Sequence, residues 1–186
     1  MTRKRISALV AAPDIETART RLRAHRLEDF EPMIAMWQDE AVYRHILGRA
    51  STSNETWSRL LRYIGHWQAL GFGYWVIEER QSGLYLGEAG FADFHRDIDP
   101  PLGPAPEAGW ALVSSAHGRG LATEVMLAAQ EWLDSHNHYC QSDCILDPQH
   151  QASLRVAQKC SYSHAYYTTF AGNPTSVMTR ISSMAS

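Results

Sequence analysis

One stretch constrains this chain more than any other: Glu107 to Val125, which reads Glu-Ala-Gly-Trp-Ala-Leu-Val, then Ser-Ser-Ala-His-Gly-Arg-Gly, then Leu-Ala-Thr-Glu-Val. Its first third has the pattern of a strand, its middle is a tight glycine turn, and its end opens a long helix. That helix carries Leu121, Val125, Ala128 and Trp132 on one face and runs to about Ser135. Gly118 and Gly120 have no Cβ, so the backbone can turn sharply there and come close to a ligand. The first N–H groups of the helix must find acceptors outside it. Together with the helix dipole they make an anion site suited to a phosphate or pyrophosphate. No Lys-Ser/Thr pair follows the second glycine, which excludes a P-loop, and no Gly-x-Gly-x-x-Gly is present for a dinucleotide.

The 186 residues fit one domain, and 45% hydrophobic with 20% charged residues is ordinary for a globular protein. A formal net charge of −3 gives no support for nucleic-acid binding. No apolar run approaches the roughly 20 residues of a membrane span. Met1 to Arg5 is basic and Ile6 to Ala12 apolar, but this run is short for a signal peptide and passes straight into Pro13-Asp14. Three cysteines, Cys140, Cys144 and Cys160, form no regular framework and suit a reducing, cytoplasmic setting.

Residues 1–16 read as a loosely held N-terminal arm, and residues 17–186 as a single domain. Ala18 to Arg26 alternates, which predicts a first strand with Ala18, Thr20, Leu22 and Ala24 on one buried face. Leu27 to Trp37 changes to helical period, with Phe30, Met33, Ile34 and Trp37 in one stripe. Thr52 to Glu55 fits a capping box opening a second helix, whose apolar face is Trp57, Leu60, Leu61, Ile64 and Trp67 and whose cap is Gly71. Phe72–Glu79 and Leu84–Phe94 read as a hairpin, with Gly87 and Gly90 marking a bulge or a close approach of backbone. Asp97 to Pro106 is proline-rich loop. Beyond the long helix come a short strand Cys144–Leu146, a helix Gln151–Cys160, and closing strands His164–Phe170 and Ser176–Ile181 around Ala171-Gly172-Asn173-Pro174. His136 to Cys144 gathers two histidines and two cysteines, but their spacing is unlike standard zinc patterns and a surface turn is expected, with no metal.

Two motifs carry a family resemblance. The first is an acidic residue, Gly-aromatic, Leu, then x-Gly-(Lys/Arg)-Gly-x-Ala-Thr-Glu, filled by Glu107, Gly109, Trp110, Leu112, Gly118, Arg119, Gly120, Ala122, Thr123 and Glu124. The second is Asn-x-x-Ser, an apolar helix, then Gly-Phe. Ser153 and Tyr162 match it, while His150 replaces the usual asparagine and Ser161 the usual glycine. On these residues the chain resembles the GNAT acetyltransferase superfamily, and within it the RimJ/RimL-like branch of ribosomal-protein N-terminal acetyltransferases. The resemblance implies an α/β (α+β) fold, a mixed, strongly twisted sheet of about seven strands flanked by about four helices. It also implies that the central strand and the next splay apart, and that the pantetheine arm of acetyl-CoA lies between them like an added strand. The implied cofactor contacts are Leu112, Val113, His117, Gly118, Arg119, Gly120, Leu121, Ala122, His150 and Ser153. Members are often dimers, so a homodimer is compatible with the resemblance; no nucleic acid or membrane partner is expected.

The implied reaction is direct transfer of an acetyl group from acetyl-CoA to a primary amine, on a protein N-terminus or a small molecule. An ammonium does not attack, so a base or a water relay is needed. Donors must meet the developing oxyanion, and an acid or hydrogen bond must meet the departing thiolate. Many members use a tyrosine on the last helix as that acid. Ala157 stands at its position, which leaves Ser153 as the candidate, against a purely helix-capping role for the same hydroxyl. Glu107 is the first choice of base, against an exposed strand-end charge; Glu88 is second, and His150 titrates in a suitable range. Tyr43, His45 and Trp67 are candidates to line the substrate entrance or to pack inside. The alternative to an enzyme is a non-catalytic acyl-CoA-binding module.

Overall fold

The structure, a computed structural model, describes residues 11–136 and 139–182. Eight strands form one sheet: β1 (Ile15–Glu16), β2 (Thr20–Arg23), β3 (Tyr74–Glu79), β4 (Tyr85–Ala92), β5 (Glu107–Leu112), β6 (Gln141–Leu146), β7 (Ser163–Phe170) and β8 (Asn173–Ile181). Their spatial order is β1-β2-β3-β4-β5-β6-β8-β7, antiparallel throughout except for β5 against β6. Five helices flank it: α1 (Phe30–Gln38), α2 (Glu40–Tyr43), α3 (Ser53–Leu70), α4 (Leu121–His136) and α5 (Gln151–Lys159). This is the mixed α/β fold expected, with one more strand and one more helix.

Strand alternation distributes the central sheet between two cores. Trp75, Ile77, Ala89, Phe91, Ala108 and Leu112 turn to one face and pack with Leu121, Val125, Met126 and Leu133 of α4 and Ala157 of α5. Tyr74, Ala92 and Ala111 turn to the other and pack with Met33, Met36 and Trp37 of α1 and Leu60 and Tyr63 of α3. Fully buried side chains such as Trp75, Phe91 and Leu22 each contribute roughly 1.5–3 kcal/mol. β4 crosses this core close to its neighbours: a Cβ on Gly87 would lie 2.2 Å from the Ala111 carbonyl oxygen, and one on Gly90 2.3 Å from that of Gly73. The close approach read from those two glycines is therefore real.

β5 and β6 meet at a single register position, Glu107↔Asp143, and diverge beyond it. The Val113 N–H donates to the Leu86 carbonyl, so Val113, Ala111, Gly109 and Glu107 turn their main-chain groups to β4. The intervening residues, Trp110 and Leu112, turn theirs toward β6, which has already moved away. The sheet thus carries a cleft, closed at Glu107 and Asp143 and open at Leu112 and Leu146.

Several expectations need correction. The N-terminal arm is described from Ala11, and that part is tied down: Ala12 is buried, β1 pairs with β2, and Trp75 Nε1 donates to the Pro13 carbonyl at 2.8 Å. Residues 1–10 lie outside the described residues. On the second face of β2 Arg21 is half-buried but Arg23 is buried, held by Asp29 and Glu78, and His25 just beyond the strand lies against Glu88. α3 has the predicted capping box and a left-handed Gly71 cap, but it buries Thr56, Leu60, Tyr63 and Trp67, leaving Trp57 and Leu61 exposed. The closing hairpin turns on two residues, Ala171 and Gly172, at φ +49° and +79°, the paired positive angles of a type I′ turn.

Candidate active site

The glycine turn sits at the open end of the cleft. Gly118 and Gly120 have φ +72° and +76°, where a side chain is strained, and a Cβ on Gly118 would meet nothing within 4 Å. Leu121 opens α4, so the N–H groups of Leu121 and Ala122 lie in its first turn and have no partner within the helix, which leaves them to an anion. Glu124, the natural competitor for them, is turned away: it accepts from Thr17 Oγ1 at 2.6 Å and from the Arg19 N–H and side chain at 2.9 and 2.7 Å. Arg19 also donates to the Arg119 carbonyl at 2.8 Å. Two half-exposed guanidinium groups, Arg19 and Arg119, therefore flank the turn. Leu121 and Leu112 bury their side chains, so only their main chains face the cleft.

His117 folds back from the turn, and its Nε2 donates to the Leu112 carbonyl at 2.8 Å. Across the cleft, Asp147 follows the end of β6, and His150 caps α5 without a side-chain cap bond. His45, from the segment after α2, reaches over to join them: its Nδ1 lies 2.6 Å from Asp147 Oδ2, and its ring stacks on His150 at 4.5 Å and 13°. Burial pushes the His150 imidazole below its ordinary range, and the neighbouring His45 and His117 add to this. Burial opposes the charge of Asp147, but His45 and the Gln149 N–H outweigh it and hold the carboxyl low. Of the residues expected to line an entrance or to pack inside, His45 stands at this cleft mouth, and Trp67 is core, edge-on against Trp75 and Trp132.

Ser153 is buried in the first turn of α5, and its hydroxyl makes no hydrogen bond among the described residues. It does not cap the helix. Ala157, one turn further, is fully buried.

Glu107 is 6% exposed, not a solvent charge. Arg96, from the loop after β4, grips it with two hydrogen bonds of 2.6 Å. The guanidinium lies 4.7 Å from the Phe94 ring and 4.8 Å from that of Phe170 at the closing-hairpin tip. Burial works against this charge, yet the carboxylate beside it raises the Arg96 pKa above its usual value. The Tyr74 hydroxyl lies over Gly109, 1.9 Å from where a Cβ would be, so the glycine there makes room for a phenol. Glu88 is fully enclosed and accepts from Trp37 Nε1 at 3.1 Å and Tyr63 Oη at 2.9 Å. His25 Nε2, 3.9 Å away, has no hydrogen-bond partner.

The structure thus gathers Leu112, His117, Gly118, Arg119, Gly120, Leu121 and Ala122 at one end of the cleft, with His150 electrostatically coupled to His117 across it. The Val113 N–H is committed to β4. Sequence reasoning missed Arg19, Arg96 and Asp143. Extending the β6 pattern back from Cys144 would have shown Asp143 as an acid inside a strand. Arg19 and Arg96 left no such signal. Among the described residues no group of three or more His, Cys, Asp or Glu side chains is placed to hold a metal; His138, part of the cluster weighed for zinc, lies outside them.

A family model for the acetyltransferase (GNAT) domain matches residues 19–163, and the chain belongs to that family. A solved structure from Bordetella pertussis, assigned to the GnaT family of acetyltransferases, is 28% identical with a TM-score of 0.79, covering 91% of this chain and 99% of that one. RimL, a ribosomal L7/L12 alpha-N-protein acetyltransferase solved with coenzyme A, shares the fold at 16% identity and TM-score 0.74, covering 91% and 98%. A ribosomal-protein-S5-alanine acetyltransferase from Vibrio fischeri does so at 15% and 0.69, covering 92% and 98%. Among curated proteins, YkkB of Bacillus subtilis (strain 168) is 25% identical over 89 residues, which span 48% of this chain and about half (49%) of that relative.

Proposed function

We propose that this chain is an N-acetyltransferase that moves an acetyl group from acetyl-CoA directly to a primary amine, a protein N-terminus or a small molecule, with both bound together. The observation that carries this reading is the single-pair contact of β5 with β6, which leaves the main chain of Trp110 and Leu112 open to an added strand beside a phosphate-ready turn. The residues present suit coenzyme A. Turn N–H groups from Gly118 to Ala122, with Arg19 and Arg119, hold the pyrophosphate. Trp110 and Leu112 pair with the pantetheine amides; Leu112 offers its N–H, since His117 already uses its carbonyl. Bound acetyl-CoA supplies a thioester carbonyl for the amine to attack.

Ser153 has a hydroxyl with no competing partner, free to donate to the departing sulfur. Glu107 receives the proton lost by the amine, directly or through water, and Arg96 orients it. His150, steadied by His45, remains neutral and offers a ring nitrogen to the pantetheine arm in place of the usual asparagine amide. The RimL likeness supports a peptide N-terminus as one acceptor class. A second reading, a coenzyme A-binding module without turnover, is favoured by one observation: Ala157 is sealed in the core where the family's acid would project.

The test is thiol release from acetyl-CoA against short peptides with varied N-termini, polyamines and aminoglycosides. Amine-dependent release with one class is expected. Calorimetric binding of coenzyme A with no release across the panel would favour the non-catalytic reading.

A further inference from the structure

The closed end of the cleft holds a second buried carboxylate, which the roles above do not use. Asp143 on β6 is 4% exposed and stands opposite Glu107 at the one position where β5 and β6 pair. In-register neighbours on adjacent parallel strands project to the same side of a sheet. Glu107 has its counter-ion in Arg96. Asp143 has none. Thr179 Oγ1 at 2.7 Å and Gln141 Nε2 at 2.9 Å both donate to its Oδ1, and both are neutral. Among the described residues no lysine, arginine or histidine pairs with Asp143; both donors reach Oδ1, and Oδ2, which is not among the fully enclosed unpaired atoms, is open to a further donor.

Asp143 Oδ1 already serves the packing of β6 against β8 through Thr179, while Oδ2 is left for a further donor. Its surroundings favour a cation. Phe94 and Phe170 already accommodate one over their faces beside Glu107, at 4.7 and 4.8 Å. Tyr166 of β7 is near enough that the Asp143 charge, after burial, helps to raise its phenol pKa. Counted together, Glu107, Asp143 and Arg96 leave one negative charge without a partner at the base of the cleft.

We propose that Asp143 is an acceptor-binding residue, whose Oδ2 receives the ammonium group of the amine at the closed end of the β5–β6 cleft. The ligand class is a primary ammonium; a neutral isostere lacks the attraction. This rests on the amine-acceptor reading above and adds to it the group that recognises the acceptor before its proton is lost.

Asp143→Asn is the test, because it keeps the shape and an acceptor oxygen for Thr179 and Gln141 while removing the charge. Saturation-transfer NMR with n-butylammonium at pH 7 should give a signal with the unaltered protein, none with n-butanol, and at least a ten-fold weaker signal with Asp143→Asn. The melting temperature of that variant should match the parent's, since Thr179 and Gln141 keep their acceptor. With an amine that turns over, its KM should rise at least ten-fold while coenzyme A affinity is unchanged. Equal butylammonium signals from the two proteins, or a lowered melting temperature with an unchanged KM, overturn the proposal and make Asp143 structural. Loss of butylammonium binding in a protein that releases no thiol with any amine keeps the ammonium site and removes only the catalytic reading.

Discussion

Ser161 follows α5 at φ +65°, a left-handed conformation that crowds any Cβ. Its helix end is already closed, with Ser161 N–H on the Gln158 carbonyl at 3.1 Å and Tyr162 N–H on that of Ala157 at 3.0 Å. Ser161→Gly should therefore relieve strain without changing a hydrogen bond and stabilise the fold by about 0.5–1 kcal/mol. A chain of this size should gain about 2–4 °C in melting temperature per kcal/mol; no gain would mean the position bears no strain. Ser153→Ala separates chemistry from stability in a different way. The hydroxyl has no partner to orphan, so stability should shift by less than about 0.5 kcal/mol, while thiol release falls by about 10²-fold if it serves the leaving thiolate. Glu107→Gln is less clean, because it leaves the Arg96 guanidinium without its carboxylate, and melting must be measured beside the rate. The departures at Ser161 and His150 were both legible in the sequence, since a motif tells where a glycine or an asparagine is due. The Arg96 grip on Glu107 was not, because an arginine inside a proline-rich loop carries no period that points to its partner.

At the scale of elements, the sequence shows most where local chemistry decides. The α3 capping box forms as read: the Glu55 N–H donates to Thr52 Oγ1 at 3.2 Å, and the Thr52 N–H to Glu55 Oε2 at 2.9 Å. Thr52→Ala should cost about 1 kcal/mol, measured as a lower urea midpoint with an unchanged m-value; an unaffected midpoint would mean that tertiary packing alone holds the helix start. The buried stripe of the same helix was misread for a physical reason. Periodicity counts apolar residues, but the helix is rotated so that Tyr63, a polar-tipped residue, reaches the enclosed Glu88 together with Trp37 from α1. A buried carboxylate thus selects aromatic donors over plain hydrocarbon, and Trp57 and Leu61 turn outward. β2 shows the same effect: its second face looks polar, yet Arg23 is sealed by Asp29 and Glu78. α2 and the two-residue β1 are too short to carry a period at all. The glycine turn was legible because its residues serve backbone geometry, which sequence specifies directly, whereas the splay beside it was expected only through the family resemblance.

Across the whole molecule, ion pairs join segments far apart in the chain, Arg23 with Glu78, Arg19 with Glu124, Arg180 with Asp134 and His45 with Asp147, and Arg23 also holds the nearby Asp29. Burial opposes the charge on Asp29, Glu124, Asp134 and Asp147, but their partners outweigh it and hold all four below the ordinary carboxylate range. A depressed carboxylate stabilises the fold above its unfolded pKa of about 4 and loses that contribution as the pH falls through its folded value. These four therefore predict an acid limb below about pH 4. His150 adds an earlier one. Burial, then His45 and His117, depress its pKa, so as the pH drops below about 6.5 the unfolded chain takes up a proton that the native ring refuses. Stability then declines by at most about 1.4 kcal/mol per pH unit until the folded ring also titrates. The melting temperature should be level from pH 7.5 to about 6.5, decline gently below it, and fall steeply below about 4. His150→Asn, which restores the residue usual in the second motif, should remove the gentle limb and leave the steep one. If melting of the unaltered protein stays flat down to about pH 4, the native ring accepts its proton as readily as the unfolded chain does, and the neutral His150 assigned to the pantetheine arm is wrong.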